Sequence, residues 1–430
     1  MASRTITVDV LARVEGEGAL TLVIDGDRVV DAKLRLFEPP RLFEAMMRGR
    51  ACTEAPDISS RICGICPVAY QMSACHAIED ALGVRLDGAL RALRRLLYCG
   101  EWIESHVLHM VMLHAPDFLG LPDSITLAQI HPERVRGALA IKKAGNAIVA
   151  TLGGREIHPV NVRVGGFYRA PRTAELAALL PDLRAARDEA ELLLDWCATF
   201  EFPELTRDYE LVALRHPDEY PMNEGRLVST RGLDITAREF GDHIREEQVE
   251  YTTALHARIL ARGAYLTGPL ARFALNADRL APRAAAAAAR IGLDPANRNP
   301  FRMLLVRGVE VIHALDEAIR VIEAYAPPPA PAVPVVMRAG TGHAITCAPR
   351  GILYHRYVVD AEGLVTDAQI TPPTSQNQRS IEDDLLAIGP MLAALPHDAA
   401  TRRAEHAIRN HDPCISCSTH FLTLAIERRN

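Results

Sequence analysis

No run of about 18 uncharged apolar residues occurs in the 430-residue chain, so no membrane-spanning helix is expected. Positive charge is not in excess: 48 Lys and Arg stand against 54 Asp and Glu, a formal net charge of -6. A protein that reads a nucleic-acid backbone needs a basic surplus on some face, so nucleic acid is a poor default partner. The first residues lack the apolar core of a secretory signal, because Arg13, Glu15 and Glu17 interrupt it; a cytoplasmic location is expected. No repeat of solenoid period is present. A disulfide scaffold is excluded too, since the nine cysteines are odd in number and mostly scattered. What is present is the balance of a globular chain able to bury a large core, 49% hydrophobic and 24% charged.

Residues 4–37 alternate polar and apolar, and Asp25-Gly26-Asp27 predicts a hairpin turn between two strands. Residues 40–50 read as helix, followed by a loop containing Pro56. From about 67 to 150 the helical period dominates. HAIEDALGVRL is one helix; DGALRALRRLLYCGEWIESHVLHMVMLHA predicts a buried helix of about thirty residues closed by Pro116 and Gly120. A helix follows at roughly 132–152. TAELAALLPDLRAARDEAELLLDWCATF predicts a helical hairpin, and EFGDHIREEQVEYTTALHARIL and 301–325 predict further helices. The six alanines at 284–289 suit an ordinary helix, and APPPAPAVPV at 326–335 a stiff extended connector. HAITCAPRGILYHRYVVDAEGLVTDAQI alternates around Glu362-Gly363, predicting a second β element, and the chain then returns to helix.

The expected class is therefore mainly α with small β elements (α+β). A buried long-helix bundle carries small β pieces near the N-terminus and in the C-terminal third. One domain is expected over 1–430. Residues 1–60 would hold the N-terminal β element and first helix, 61–325 the bundle, and 326–430 the proline connector, β element and C-terminal metal-binding segment.

Four cysteines form two C-x-x-C pairs: Cys63 with Cys66, and Cys414 with Cys417. Two intervening residues let both sulfurs converge on one metal. Gly64 eases the first turn, and Pro413 fixes the entry to the second. Four thiolates are a soft set, favouring zinc, iron–sulfur or nickel over magnesium or calcium. The plainest reading is a four-cysteine zinc site. Spacing alone leaves zinc and a redox metal open. Ligands drawn from opposite ends of a chain that needs no staple suggest a centre in the middle of the bundle.

RICGIC and DPCISCSTH resemble the two signature motifs of the NiFe-hydrogenase large subunit. RVEGEG at 13–18, GEWIESHVLHMVMLHAPDFLG at 100–120, GGREIHP at 153–159, APRG at 348–351 and TPPTSQN at 371–377 resemble family blocks in the family order, so the likeness spans effectively the whole chain. CPVAYQMSACHA, LHAPDFLG and PPTSQN look most like the soluble, cytoplasmic, multimeric branch linked to NAD(P), of the sulfhydrogenase α-subunit type.

The resemblance implies reversible heterolytic H2 cleavage or proton reduction at a Ni–Fe centre. All four thiolates would bind nickel, with Cys63 and Cys414 terminal and Cys66 and Cys417 bridging to iron. One CO and two CN ligands would complete the iron. Cys414 would be the base and Glu15 the proton gate. Arg350 would hang over the metal pair and bind cyanide nitrogen, Asp412 would orient Arg350 or the cluster, and Pro372 would pack on the diatomic ligands. Glu44 and His420 would bind a magnesium-type divalent ion. His106, His109 and His114, with Arg155, His158 and His355, read as hydrogen-bonding support. The plain readings are a surface charge for Glu15, a turn arginine for Arg350, a turn aspartate for Asp412 and a terminal polar residue for His420. Four positions depart from the family pattern: Tyr70, Ser105, Cys347 and Pro373. They put hydrogen bonds around the ligands in doubt, not ligation.

The other cysteines, Cys52, Cys75, Cys99, Cys197 and Cys347, do not pair at cluster spacing. Gly16-Glu17-Gly18 does not extend to a dinucleotide fingerprint. A two-electron centre with no exit needs a partner. The resemblance implies an iron–sulfur small subunit and flavin/iron–sulfur subunits that reach NAD(P). The terminal FLTLAIERRN leaves open whether it is a packed strand or a removable extension. Two other readings remain: a non-catalytic relative in respiratory complexes, serving as a structural or quinone-site subunit, which the four cysteines oppose, and a zinc-stabilised structural protein.

Overall fold

The computed structural model describes residues 4–26, 28–36 and 42–415. Strands β1 (Arg4–Val8), β2 (Gly18–Asp25) and β3 (Arg28–Leu36) form an antiparallel sheet in that order. Their alternation turns Ile6, Leu20, Leu22 and Leu34 into a fully buried layer. The predicted hairpin joins β2 to β3, with Asp27 itself outside the described residues. Helix α1 (Phe43–Met47) falls within the expected 40–50. The loop expected around Pro56 is instead a short helix, α2 (Ala55–Ser60), because proline at a first turn loses no helical hydrogen bond.

The bundle opens with α3 (Pro67–Leu82) and α4 (Gly88–Val107). The thirty-residue helix predicted here is not uniform. Leu108–His114 winds as π-helix and passes into α5 (Ala115–Phe118), whose first turn holds Pro116. Proline has no N–H to give the preceding turn, so the ladder slips there. Helix α6 (Ser124–Ile130) is capped by Asp123, and α7 (Pro132–Gly153) matches its predicted span. A small hairpin follows, β4 (Val162–Arg163) with β5 (Gly166–Phe167). The predicted helical hairpin is a single turn, α8 (Thr173–Ala177), and one long helix, α9 (Leu180–Cys197), which packs on α7.

The middle of the chain holds β structure that the sequence reading confined to the ends. Strands β6 (Val212–Arg215), β7 (Arg226–Ser229) and β8 (Asp234–Ile235) make a sheet. The helix predicted over 239–260 is mostly wrong. After α10 (Phe240–His243), strands β9 (Ile244–Gln248) and β10 (Leu255–Ile259) pair antiparallel. Helix α11 (Pro269–Asn276) precedes the alanine-rich α12 (Pro282–Arg290) and the buried α13 (Met303–Glu323). Around α13 pack α4, α9 and α12. Strands β11 (Gly340–Ala348), β12 (Gly351–Val359) and β13 (Val365–Thr371) form the second predicted β element, and α3 lies across β11 and β12. The described chain closes with α14 (Pro373–Ala387), α15 (Gly389–Ala393) and α16 (His397–Arg409). The ribbon β9–β10 packs on α14, which also supports β3.

Candidate metal centre

Cys63 and Cys66 sit in the turn that leads into α3. Cys63 Sγ accepts from Ile65 N at 3.3 Å and Cys66 N at 3.2 Å, and Cys66 Sγ lies 3.1 Å away. The start of α3 is capped from another helix: Glu101 of α4 accepts Val68 N at 2.7 Å and Ala69 N at 3.1 Å. That satisfies amides orphaned at a helix start and pins the thiol turn to the bundle. Burial, with Glu104 and Cys63 nearby, pushes the Glu101 carboxyl well above the usual carboxylate range, against the pull of the two N–H groups.

The opposite end of the chain arrives at the same place. After α16, Asp412 takes a left-handed conformation at φ 51°, which aspartate tolerates better than most residues. The turn sets Cys414 beside Glu15 in a parallel bridge, with Ile415 N donating to Glu15 O at 2.9 Å. Cys414 N donates to Thr374 Oγ1 at 3.0 Å, tying the segment to the first turn of α14. Cys414 Sγ then stands 3.4 Å from Cys63 Sγ and 3.1 Å from Glu15 Oε2. Cys63, Cys66 and Cys414 are each at most 2% exposed. Their separations exceed the ~2.05 Å of a disulfide, so three cysteine sulfurs converge in the interior without bonding to one another. A buried set of soft donors fits a nickel-type ion far better than a hard cation. Cys417 and His420 lie outside the described residues.

Arg350 occupies the two-residue turn, Pro349-Arg350, between β11 and β12. It donates through Nε to Asp412 O at 2.8 Å and through Nη2 to Asp412 Oδ1 at 3.2 Å. Burial alone would weaken its charge. Asp412 and the three cysteine sulfurs outweigh that and hold the guanidinium well above its usual range. Its Nη1 is buried with no protein partner among the described residues, as is Asp412 Oδ2. A spare donor beside a thiol cluster is available to an anionic group held there.

The turn is buttressed from behind. Arg272 of α11 donates to Ala348 O at 3.0 Å and Pro349 O at 2.8 Å, and pairs with Glu310 of α13 at 2.7 and 2.8 Å. Glu310 also accepts from Tyr220 Oη at 2.7 Å and lies 3.1 Å from His106 Nε2. Burial pushes His106 down to about 4, so its imidazole is neutral near pH 7. Gly268 is needed where it stands: at φ +116°, an added Cβ would lie 2.7 Å from Arg350 O.

The other expected residues scatter around this centre. His109 Nε2 is 2.8 Å from Arg409 O, and the His114 ring lies 4.9 Å from that of His109. Pro372 is the residue before α14, and its carbonyl accepts from Ser375 Oγ at 2.9 Å. Glu44, on α1, accepts Ile370 N at 2.7 Å and is not part of the thiol cluster. His158 Nδ1 is 2.9 Å from Ser60 O, and Arg155 Nε donates to His158 O at 2.6 Å. His355 Nδ1 lies 3.0 Å from Tyr357 Oη. Of the four departures, Tyr70 sets its ring 5.9 Å from that of His355, and Ser105 is buried in α4. Pro373 starts α14. The Cys347 carbonyl accepts Trp102 Nε1 at 3.0 Å, and burial pushes the Cys347 thiol up to about 11. Glu101, Thr374, Arg272 and Glu310 were not singled out from the sequence. Glu101 and Thr374 stand inside family blocks. For Glu310 the available signal was a charge inside the apolar run of α13.

Residues 41–136 match the family of nickel-dependent hydrogenases. The chain is 33% identical to sulfhydrogenase 1 subunit alpha of Pyrococcus furiosus, over 97% of this chain and 98% of that one. It is 26% identical to NAD-reducing hydrogenase HoxS subunit beta of Cupriavidus necator, over 98% of this chain and 95% of that one. Among solved structures, an NAD+-reducing NiFe hydrogenase in its H2-reduced state matches with a TM-score of 0.88 at 27% identity, covering 98% of this chain and 100% of that one.

Proposed function

Because the chain belongs to the nickel-dependent hydrogenase family, as a large subunit of the NiFe type, we propose that Cys63, Cys66, Cys414 and Cys417 would together hold its nickel–iron pair. The observation that carries this reading is the 3.4 Å contact between Cys63 Sγ and Cys414 Sγ, from residues 351 apart in sequence. When bound, the nickel–iron pair supplies the Lewis acidity and two-electron capacity for reversible heterolytic H2 cleavage. Cys414 takes the proton at Sγ and hands it to Glu15 Oε2, 3.1 Å away. Glu15 is half-buried, so it reaches both the interior and the way out.

Arg350 would offer its spare Nη1 to a cyanide nitrogen among the diatomic ligands, one CO and two CN, that complete the iron, and Asp412 holds the guanidinium in place. Pro372 packs against the diatomic ligands. Glu44 and His420 hold a magnesium-type ion.

The chain works as one subunit of a multi-subunit enzyme, as its relatives' names imply. The finer assembly belongs to the proposal: an iron–sulfur small subunit takes the electrons, and flavin/iron–sulfur subunits pass them to NAD(P) in the cytoplasm. Among the described residues no helix is long and apolar enough to cross a membrane. Metal analysis with infrared spectroscopy is the test. Equimolar nickel and iron with bands from metal-bound CO and CN are expected, and Cys414→Ser abolishes hydrogen turnover. Zinc alone would overturn the reading in favour of a structural site, and no metal in favour of a non-catalytic relative.

A further inference from the structure

Helix α3 carries the thiol turn at one end and a second polar site at the other, about 24 Å along its axis at ~1.5 Å per residue. There a cavity of ≈ 510 Å3 opens between the end of α3, the first turn of α4 and residues 223–224. Five arginines line it. Three are neutralised: Arg94 forks onto Glu79 with two bonds of 2.6 Å, Arg238 pairs with Asp80 at 2.7 Å, and Arg91 pairs with Glu224. Arg85 and Arg338 are exposed and have no carboxylate partner among the described residues. Arg338 is held over the cavity by Ala81 O at 3.3 Å, and its guanidinium lies against Gly83, where any Cβ would displace it.

The second observation is independent of charge. Asn223 lines the same cavity, is 2% exposed, and has no hydrogen-bond partner at either Oδ1 or Nδ2 among the described residues. His76 Nε2, also in the wall, is likewise buried and unpartnered. Buried amides are rarely left with both atoms unsatisfied, so this wall is built to meet a hydrogen-bonding group.

We propose that this cavity binds a phosphate group. Two surplus guanidiniums match the charge of a phosphate monoester dianion, ≈ −1.5 to −2 near pH 7, and the planar arginine fork suits its oxygens. The carboxamide of Asn223 donates to a further oxygen. The phosphate comes from a nucleotide or is free inorganic phosphate.

The test is calorimetric titration of the assembled enzyme with adenosine monophosphate and, separately, with inorganic phosphate, at constant ionic strength. The double variant Arg85→Ala/Arg338→Ala is compared with the parent and with Arg184→Ala, a surface control paired to Glu323. Arg85 and Arg338 are exposed, so the double variant folds; Asn223→Ala is the second probe. Saturable binding to the parent, at least tenfold weaker in the double variant and unchanged in Arg184→Ala, supports the site. Tighter binding of the nucleotide assigns the phosphate to an ester, and equal binding assigns it to the free ion. The absence of saturable binding of either probe, or equal binding in parent and double variant, overturns the proposal.

Discussion

At the scale of single residues, the main chain of Glu15 places it, and the proposed proton role falls to its carboxylate. Its carbonyl accepts Ile415 N, while Oε2 faces Cys414 Sγ at 3.1 Å. Glu15→Gln keeps the main-chain pairing and removes the titratable oxygen. H/D exchange in H2 is expected to fall by roughly 10²–10⁴-fold, with metal infrared bands unchanged. Exchange at the parent's rate would remove Glu15 from the proton path. Glu382 illustrates a different cost. It is fully buried on α14, where it accepts Leu34 N at 3.1 Å and Tyr251 Oη at 2.7 Å. Burial still pushes its carboxyl from 4.5 up to about 7. A folded value above the unfolded one means that ionisation disfavours the folded state. Stability is therefore lost as pH rises from 4.5 to about 7, by about 3 kcal/mol. Glu382→Gln should remove that slope, so urea titrations at pH 4.5 and 8 show the variant gaining on the parent by about that amount. Parallel pH profiles would show that Glu382 ionises in the folded chain as readily as in the unfolded one.

At the scale of elements, Arg350 is only as well placed as the turn between β11 and β12, and Arg272 fixes that turn through two carbonyls. Arg272→Met strips both carbonyls of their donor and leaves the fully buried Glu310 without its cation. Breaking a buried pair on one side costs about 3–5 kcal/mol. The expected outcome is a loss of that size in denaturant unfolding, together with a shift in the cyanide infrared bands. Unchanged bands would show that the turn holds Arg350 without Arg272. The bundle helices α4, α7 and α13 were legible in the sequence because long runs of mostly apolar residues carry no breaker, whereas α3 ends at Leu82, ahead of the predicted run to Leu86, because Gly83 takes a left-handed cap. The ribbon β9–β10 was not. Arg245, Glu246, Glu247 and Glu250 imitate the charge spacing of a helix face, whereas Ile244, Val249 and Thr252–Thr253 favour extended chain, and packing on α14 decides. Strands of two to four residues, as in β6–β8, are too short for any periodic window. The site divides in the same way. Cys63, Cys66, Cys414, Glu15, Arg350 and Asp412 stand in dense motifs and do come together. Arg272 and Glu310, which position them, belong to no motif because any buried ion pair of the right reach would serve.

At the scale of the whole molecule, the described core holds many neutral histidines. Burial pushes His106, His256 and His313 down to about 4 and His406 to about 3, from an ordinary 6.5. Each folded value lies below the unfolded one, so the unfolded chain takes up protons that the folded chain refuses. Stability is full above pH 6.5 and is lost as pH falls toward 4. At pH 5 each of these four costs about 2 kcal/mol. Glu382 and Glu104, both pushed up to about 7, act in the opposite sense and return about 4 kcal/mol over the same interval. These histidines outweigh the two carboxyls, and unfolding free energy should drop between pH 7 and pH 5. His406 is the clearest handle, because it packs edge-on against Phe118 at 4.4 Å and Phe301 at 4.9 Å, a site an apolar ring can fill. His406→Phe should therefore flatten the acid limb of a stability–pH profile by about 2 kcal/mol at pH 5. A variant that loses stability between pH 7 and 5 as steeply as the parent would remove His406 from the acid limb.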